Sequence, residues 1–148
     1  MKLRAMLALT ALVALGAIAA GCGSSDDNDS STSDLTKAEW IAKADAICQQ
    51  GNQEINQAAH EQFGNQKPTA ADVQQFARGV ALLGTQDQID KIRALGAPSG
   101  DEDQVNKILD TVQADIDQAK SSGDIEESTF DDGDALAQQY GLKVCGQD

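Results

Sequence analysis

The sequence predicts an all-α domain: an antiparallel bundle of about four helices with one disulfide, preceded by a signal peptide and a disordered tether. Three observations carry this. Apolar residues recur at intervals of three and four along four segments, which places each set on one helix face. No segment alternates apolar and polar residues as a half-buried strand does. Of three cysteines, Cys22 is expected to be consumed by lipidation, which leaves Cys48 and Cys145 as an even pair within the domain.

The leader comes first in the chain. Met1-Lys2-Leu3-Arg4 is a short positive region, and Ala5 to Ala20 is apolar apart from Thr10 and Gly16. Ala19-Ala20-Gly21-Cys22 then runs small residues directly into a cysteine. This is the pattern of a lipoprotein signal peptide over residues 1–21, with cleavage between Gly21 and Cys22. The chemistry demands that order, because the Cys22 thiol is first joined to diacylglycerol and the peptidase then cuts before it. Position −3 is usually Leu, and Ala19 is a tolerated alternative. The competing readings are an ordinary cleaved signal and an uncleaved anchor, although the run is short of the roughly 20 apolar residues a membrane span needs.

Residues 22–34 make up the lipidated cysteine and a Gly/Ser/Asp tether with no apolar side chain after Cys22. Such a stretch buries nothing to offset the cost of ordering, so an extended, flexible spacer is expected. Asp26, Asp27 and Asp29 read as solvated, self-repelling charges rather than a cation site.

The helical domain occupies residues 35–148. Thr36 as N-cap and Glu39 at the third helical position form a capping box, and Leu35 and Trp40 are placed to staple across it. Ala44, Ile47, Gly51, Ile55 and Ala58 continue the stripe on a helix from Lys37 to about Phe63, with Cys48 beside it. Gly64 to Pro68 turns the chain. Thr69 and Asp72 start a second helix whose face is Val73, Phe76, Ala77, Val80 and Leu83. Beyond Gly84 the stripe continues in Ile89, Ile92 and Leu95 but rotated about the axis, so one helix bends near Gly84 or its halves face different neighbours. A single helix to about Leu95 is the preferred reading. Ser99 and Glu102 suggest a capping box for a third helix, with acids in its first turn suiting the helix dipole. Val105, Ile108, Leu109, Val112, Ile116 and Ala119 give it the cleanest stripe in the chain, and Ser121-Ser122-Gly123 breaks it. A fourth, shorter helix lies between Asp124 and Tyr140 and uses Ile125, Phe130, Ala137 and Tyr140, with Gly141-Leu142 as a left-handed C-cap.

Composition excludes some functions. The whole chain carries 11 basic and 24 acidic side chains, and loss of Lys2 and Arg4 with the leader makes the remainder more acidic still. Phosphate binding needs basic patches, so no nucleic-acid partner is expected. The expected membrane contact is the diacylglyceryl group on Cys22, not the protein surface. In an exported chain Cys48 and Cys145 should be bridged; the alternative is a pair of reduced thiols at a metal or redox site. Closing so long a loop contributes about 4 to 5 kcal/mol in the chain-entropy model.

His60 is the only histidine, and His60-Glu61 lacks the second histidine of a zinc protease motif, so no metal site is expected. Asp124/Glu126/Glu127 and Asp131/Asp132/Asp134 are the densest acids, but neither keeps a calcium-loop register. Surface or cap acids are the better reading. A glycosidase needs two carboxylates facing across a cleft. Glu39, Glu54 and Glu61 could in principle contribute, but glutamates on a helix surface are common and these read as such. Serine lacks a nucleophile-elbow context and phosphate loops are missing. Lys107 with Asp103, and Thr111 with Asp115, are ordinary helix-surface neighbours. Trp40 reads as packing rather than a ligand platform. No cofactor is implied.

LTKAEWIAKADAIC near the start of the domain, QIDKIRALGAP in its middle and QQYGLKVCG at its end resemble secreted or lipid-anchored proteins of high-GC Gram-positive bacteria. The similarity spans residues 35–146. In that group an Ala-Asp-Ala-Ile-Cys-like helix pairs with a terminal Gly-Leu-x-x-Cys. The resemblance implies a helical, disulfide-linked extracytoplasmic domain and carries no activity or ligand residues. The expectation is therefore a lipoprotein on the extracytoplasmic face of the cell membrane, a non-catalytic binding or structural component of the envelope whose partner protein or ligand is not encoded in any motif. The alternatives are a small-ligand receptor with a pocket between helices, its cavity lined by Phe76, Val80, Val112 and Phe130, and, third, a cell-wall-acting enzyme.

Overall fold

The computed structural model describes residues 35–147; the signal peptide, the cleavage site at Gly21 and Cys22, and the tether lie outside these residues. Four helices and no strand make up the described part. Helix α1 spans Lys37–Phe63. Helix α2 begins over Ala70–Phe76, passes through a π-helical stretch over Ala77–Ala81, and continues over Leu82–Arg93. Helix α3 spans Glu102–Ser122 and α4 spans Asp131–Tyr140. Short connections make sequential neighbours antiparallel: α1 packs on the second half of α2, α2 on α3, and α3 on α4. The disulfide and the Trp40–Tyr140 contact close the bundle from α4 and the tail back onto α1.

The helix starts follow the local chemistry. Thr36 Oγ1 accepts from the Glu39 amide while the Glu39 carboxylate accepts from the Thr36 amide at 3.0 Å, and Thr69 and Asp72 repeat the arrangement. These hydrogen bonds hold both carboxyls below the usual carboxylate range. The third helix departs from expectation. Its N-cap is Asp101, not Ser99, because the turn closed by the Asp101 amide on Pro98 O delays the first helical residue to Glu102. The Glu102 carboxylate bonds the Gly100 amide instead.

The rotated stripe in α2 has a definite cause. The helix is continuous, as preferred, but the phase change sits at Ala77–Ala81 rather than at Gly84. A π turn inserts an extra residue into one turn and rotates everything after it around the axis. As a result Leu82 is buried, whereas Leu83 is 59% exposed; Val73, before the π turn, is 47% exposed. Neither Val73 nor Leu83 belongs to the core face assigned to them from periodicity.

The core gathers Trp40, Ala44 and Cys48 of α1, Leu82, Ile89 and Ile92 of α2, the whole apolar stripe of α3, and Ala137, Tyr140 and Leu142. Leu35, at the hydrophobic-staple position, packs against it. Close approach of α1 and α2 depends on Gly51, where a Cβ would stand 2.4 Å from the Gln88 side chain. Gly141, at φ 117°, ends α4 in the left-handed conformation and lets the Leu142 amide bond back to Ala137 O.

Candidate functional site

The C-terminal segment after α4 is where the elements converge. Cys48 and Cys145 are bonded, with Cα atoms 5.4 Å apart, as the cysteine arithmetic predicted. One turn earlier on α1, the Asp45 carboxylate accepts hydrogen bonds from the amides of Lys143, Val144 and Cys145 at 2.9 to 3.2 Å. These successive amides have no helix to satisfy them, and Asp45 does so. Gln138 of α4 donates to Gly146 O and holds the far side of the segment.

A second cluster fixes α4 against the two other helices. Tyr140 donates to Asp101 at 2.8 Å, and the Lys37 ammonium lies 3.6 Å from that carboxylate and 3.8 Å from the centre of the Tyr140 ring. Burial, the hydrogen bond and the negative charge of Asp101 together push the Tyr140 hydroxyl well above its ordinary range. It stays protonated and donating. Trp40, with no exposed surface, meets Tyr140 edge-on at 5.5 Å, so it is packing and not an exposed platform.

Beneath this segment lies a cavity of about 180 Å³ between α1, α2, α3 and α4. Val112 and Phe130 line it as expected of a pocket between helices, but Phe76 and Val80 do not. Its walls are mainly apolar, and Asn52, Thr85 and Gln88 supply polar groups. Thr85 already donates to Ala81 O at 3.0 Å. Gln88, only 7% exposed, makes one side-chain hydrogen bond, a long 3.5 Å contact to Asn52 Oδ1. The indole N–H of Trp40 is buried without a partner.

The acidic groups are distributed differently. Asp131, Asp132 and Asp134 fall in the first turn of α4, where carboxylates suit the helix dipole. Asp124 and Glu126 border a polar hollow with Asp115, whose carboxyl is raised by burial and then by the charge of Asp132. Asp132 itself is exposed, so the pair is not two shielded carboxylates facing each other. No group of three or more His, Cys, Asp or Glu able to hold a metal occurs among the described residues. His60 is exposed in the last turn of α1, and Glu54 and Glu61 bond glutamines one turn back on the same helix.

Comparison with protein-family models, curated proteins and solved structures returns no match. The site therefore rests on its own geometry. Asp45, Asn52 and Gln88 are the residues that sequence reasoning missed. Gln88 carried a faint signal, a polar side chain at the edge of the Ile89–Ile92 stripe, but its partner surface at Gly51 was not legible.

Proposed function

We propose that this chain is an exported lipoprotein, cleaved between Gly21 and Cys22 and held through a diacylglyceryl group on Cys22 at the extracytoplasmic face of the cell membrane. Its helical domain then acts, at the end of the 22–34 tether, as a non-catalytic binding or structural component of the envelope. One observation carries the reading: Cys48 and Cys145 are bridged across a sequence separation of 97. Such bonds persist in oxidising compartments and are rare where glutathione keeps thiols reduced. The leader supplies the route to such a compartment, and the likeness of the three motifs to secreted and lipid-anchored proteins points the same way.

The acids whose behaviour departs from the ordinary have structural causes: capping for Glu39 and Asp72, and burial with the Asp132 charge for Asp115. The test is metabolic labelling with an alkyne analogue of palmitate in a host that processes lipoproteins. The wild-type chain should take up label and sediment with membranes, and Cys22→Ala should do neither. A wild-type chain that stays unlabelled, or a Cys22→Ala chain that remains lipidated, would overturn the reading.

A further inference from the structure

The cavity under the C-terminal segment combines apolar walls with two buried polar side chains, of which Gln88 is weakly paired and Trp40 is not paired. Its walls include Ile89, Ile108 and Phe130; a closed apolar hole of about 150 Å³ in an engineered protein takes up benzene, and this cavity is of similar volume but partly open to solvent beside Gln147. Yet this cavity is bordered by the Gln88 amide, whose one side-chain hydrogen bond is 3.5 Å long, and by Trp40, whose buried indole N–H has none. Buried polar groups are normally paired, and unpaired ones are costly. The Gln88 side chain packs against the bare backbone of Gly51, in the space a Cβ there would fill. Among the described residues, the only charged one in the wall is Asp134, half-buried beside Gly146.

We propose that this cavity binds a small uncharged molecule, about the size of a single ring, that carries one hydrogen-bonding group to pair with the Gln88 amide. Apolar walls supply the burial and Gln88 supplies the orientation, the usual division of labour in a ligand pocket. The cavity is built the same way in an anchored or a released chain, so this inference and the anchoring stand or fall separately.

The test uses the oxidised full chain with Cys22→Ser, and phenol and toluene as probes, which differ by a hydroxyl against a methyl. Trp40 is the only tryptophan, so its fluorescence and its indole N–H resonance report on the cavity directly. Phenol should shift the Trp40 and Gln88 side-chain resonances saturably, with a Kd on the order of 0.1 to 1 mM for so small a ligand. Gln88→Leu should weaken phenol about tenfold while leaving toluene at least as tight, the loss expected for one hydrogen bond. Ala137→Leu, which fills the cavity, should abolish both. No saturable shift with either probe in the wild-type chain overturns the proposal, as does undiminished binding by Ala137→Leu. Should Ala137→Leu fail to fold, the Gln88→Leu comparison decides alone: equal weakening of phenol and toluene sinks it.

Discussion

Two aromatic pairs sit toward opposite ends of α1, each with ring centres 5.5 Å apart and an edge-on geometry. Trp40 and Tyr140 are fully or nearly fully buried, whereas Phe63 and Phe76 are half-buried. Around Trp40 the chain adds the disulfide, the Asp45 carboxylate and the Asp101–Tyr140 hydrogen bond. At the other end, α1 beyond Gly51 has no fully buried residue, and α2 has none before Leu82. That end is tied instead by polar links to the α3–α4 connection: Gln74 exchanges hydrogen bonds with Ile125, and Arg78 donates to Gly123 O at 2.7 Å. Contact geometry alone therefore does not rank the two ends. Burial does, because the hydrophobic contribution scales with the apolar area removed from water.

The largest effect that could break this contrast is loss of the disulfide. The double variant Cys48→Ala/Cys145→Ala should cost about 2 to 5 kcal/mol in urea unfolding, since the bridge closes most of the domain into one loop. Phe76→Ala at the other end should cost only about 1 to 2 kcal/mol, below the range for a fully buried phenylalanine. If Phe76→Ala proves as damaging as removal of the bridge, the asymmetry is wrong.

A smaller effect sharpens the same contrast. Asp45→Ala removes the acceptor for three tail amides while the disulfide still holds the segment. Hydrogen bonds to a charged acceptor contribute about 1.5 to 3 kcal/mol, so the expected loss lies toward the lower end of that range for these partly exposed groups. Amide exchange should accelerate at Lys143, Val144 and Cys145 and stay unchanged at Leu82–Arg93 in α2. Uniform acceleration across the domain would mean that Asp45 supports global stability rather than the tail.

How much of this was legible in the sequence depended on the range over which each signal acts. Thr36–Glu39 and Thr69–Asp72 span three residues, and both boxes form as read. The stripe of α3 is unbroken, and all six of its named residues are buried. Ser99 and Glu102 have the same spacing, but the turn before Asp101 displaced the cap, a backbone effect that residue types alone do not encode. In α2 the phase slip is legible and its place is not: Gly84 reads as the breaker, while the π turn runs through Ala77–Ala81, around Gly79. The cavity inherited that error, because Phe76 and Val80 lie before or within the π turn and face elsewhere. The Asp45 interaction joins residues about 100 apart and has no local signature.

The smallest predicted effect concerns Asp115, on the buried side of α3 facing α4. One of its carboxylate oxygens is buried without a hydrogen-bond partner, and burial, then the Asp132 charge, raise its pKa above the ordinary 3.8. An acid whose folded pKa is raised binds its proton more tightly when folded than when unfolded. Ionisation therefore favours the unfolded chain, and the penalty is complete above the folded pKa. Lowering the pH through that value should relieve it, and the relief is fully gained below the unfolded pKa. The capping acids Glu39 and Asp72 act in the opposite sense: their lowered pKa values give stability that is present above the unfolded values and lost as the pH falls through the folded ones. Asp115→Asn isolates the first term. It should raise Tm slightly near neutral pH and leave Tm falling more steeply on acidification than in the wild-type chain, because the compensating protonation is gone. A variant with an unchanged Tm and an unchanged pH profile would place the Asp115 carboxylate in water.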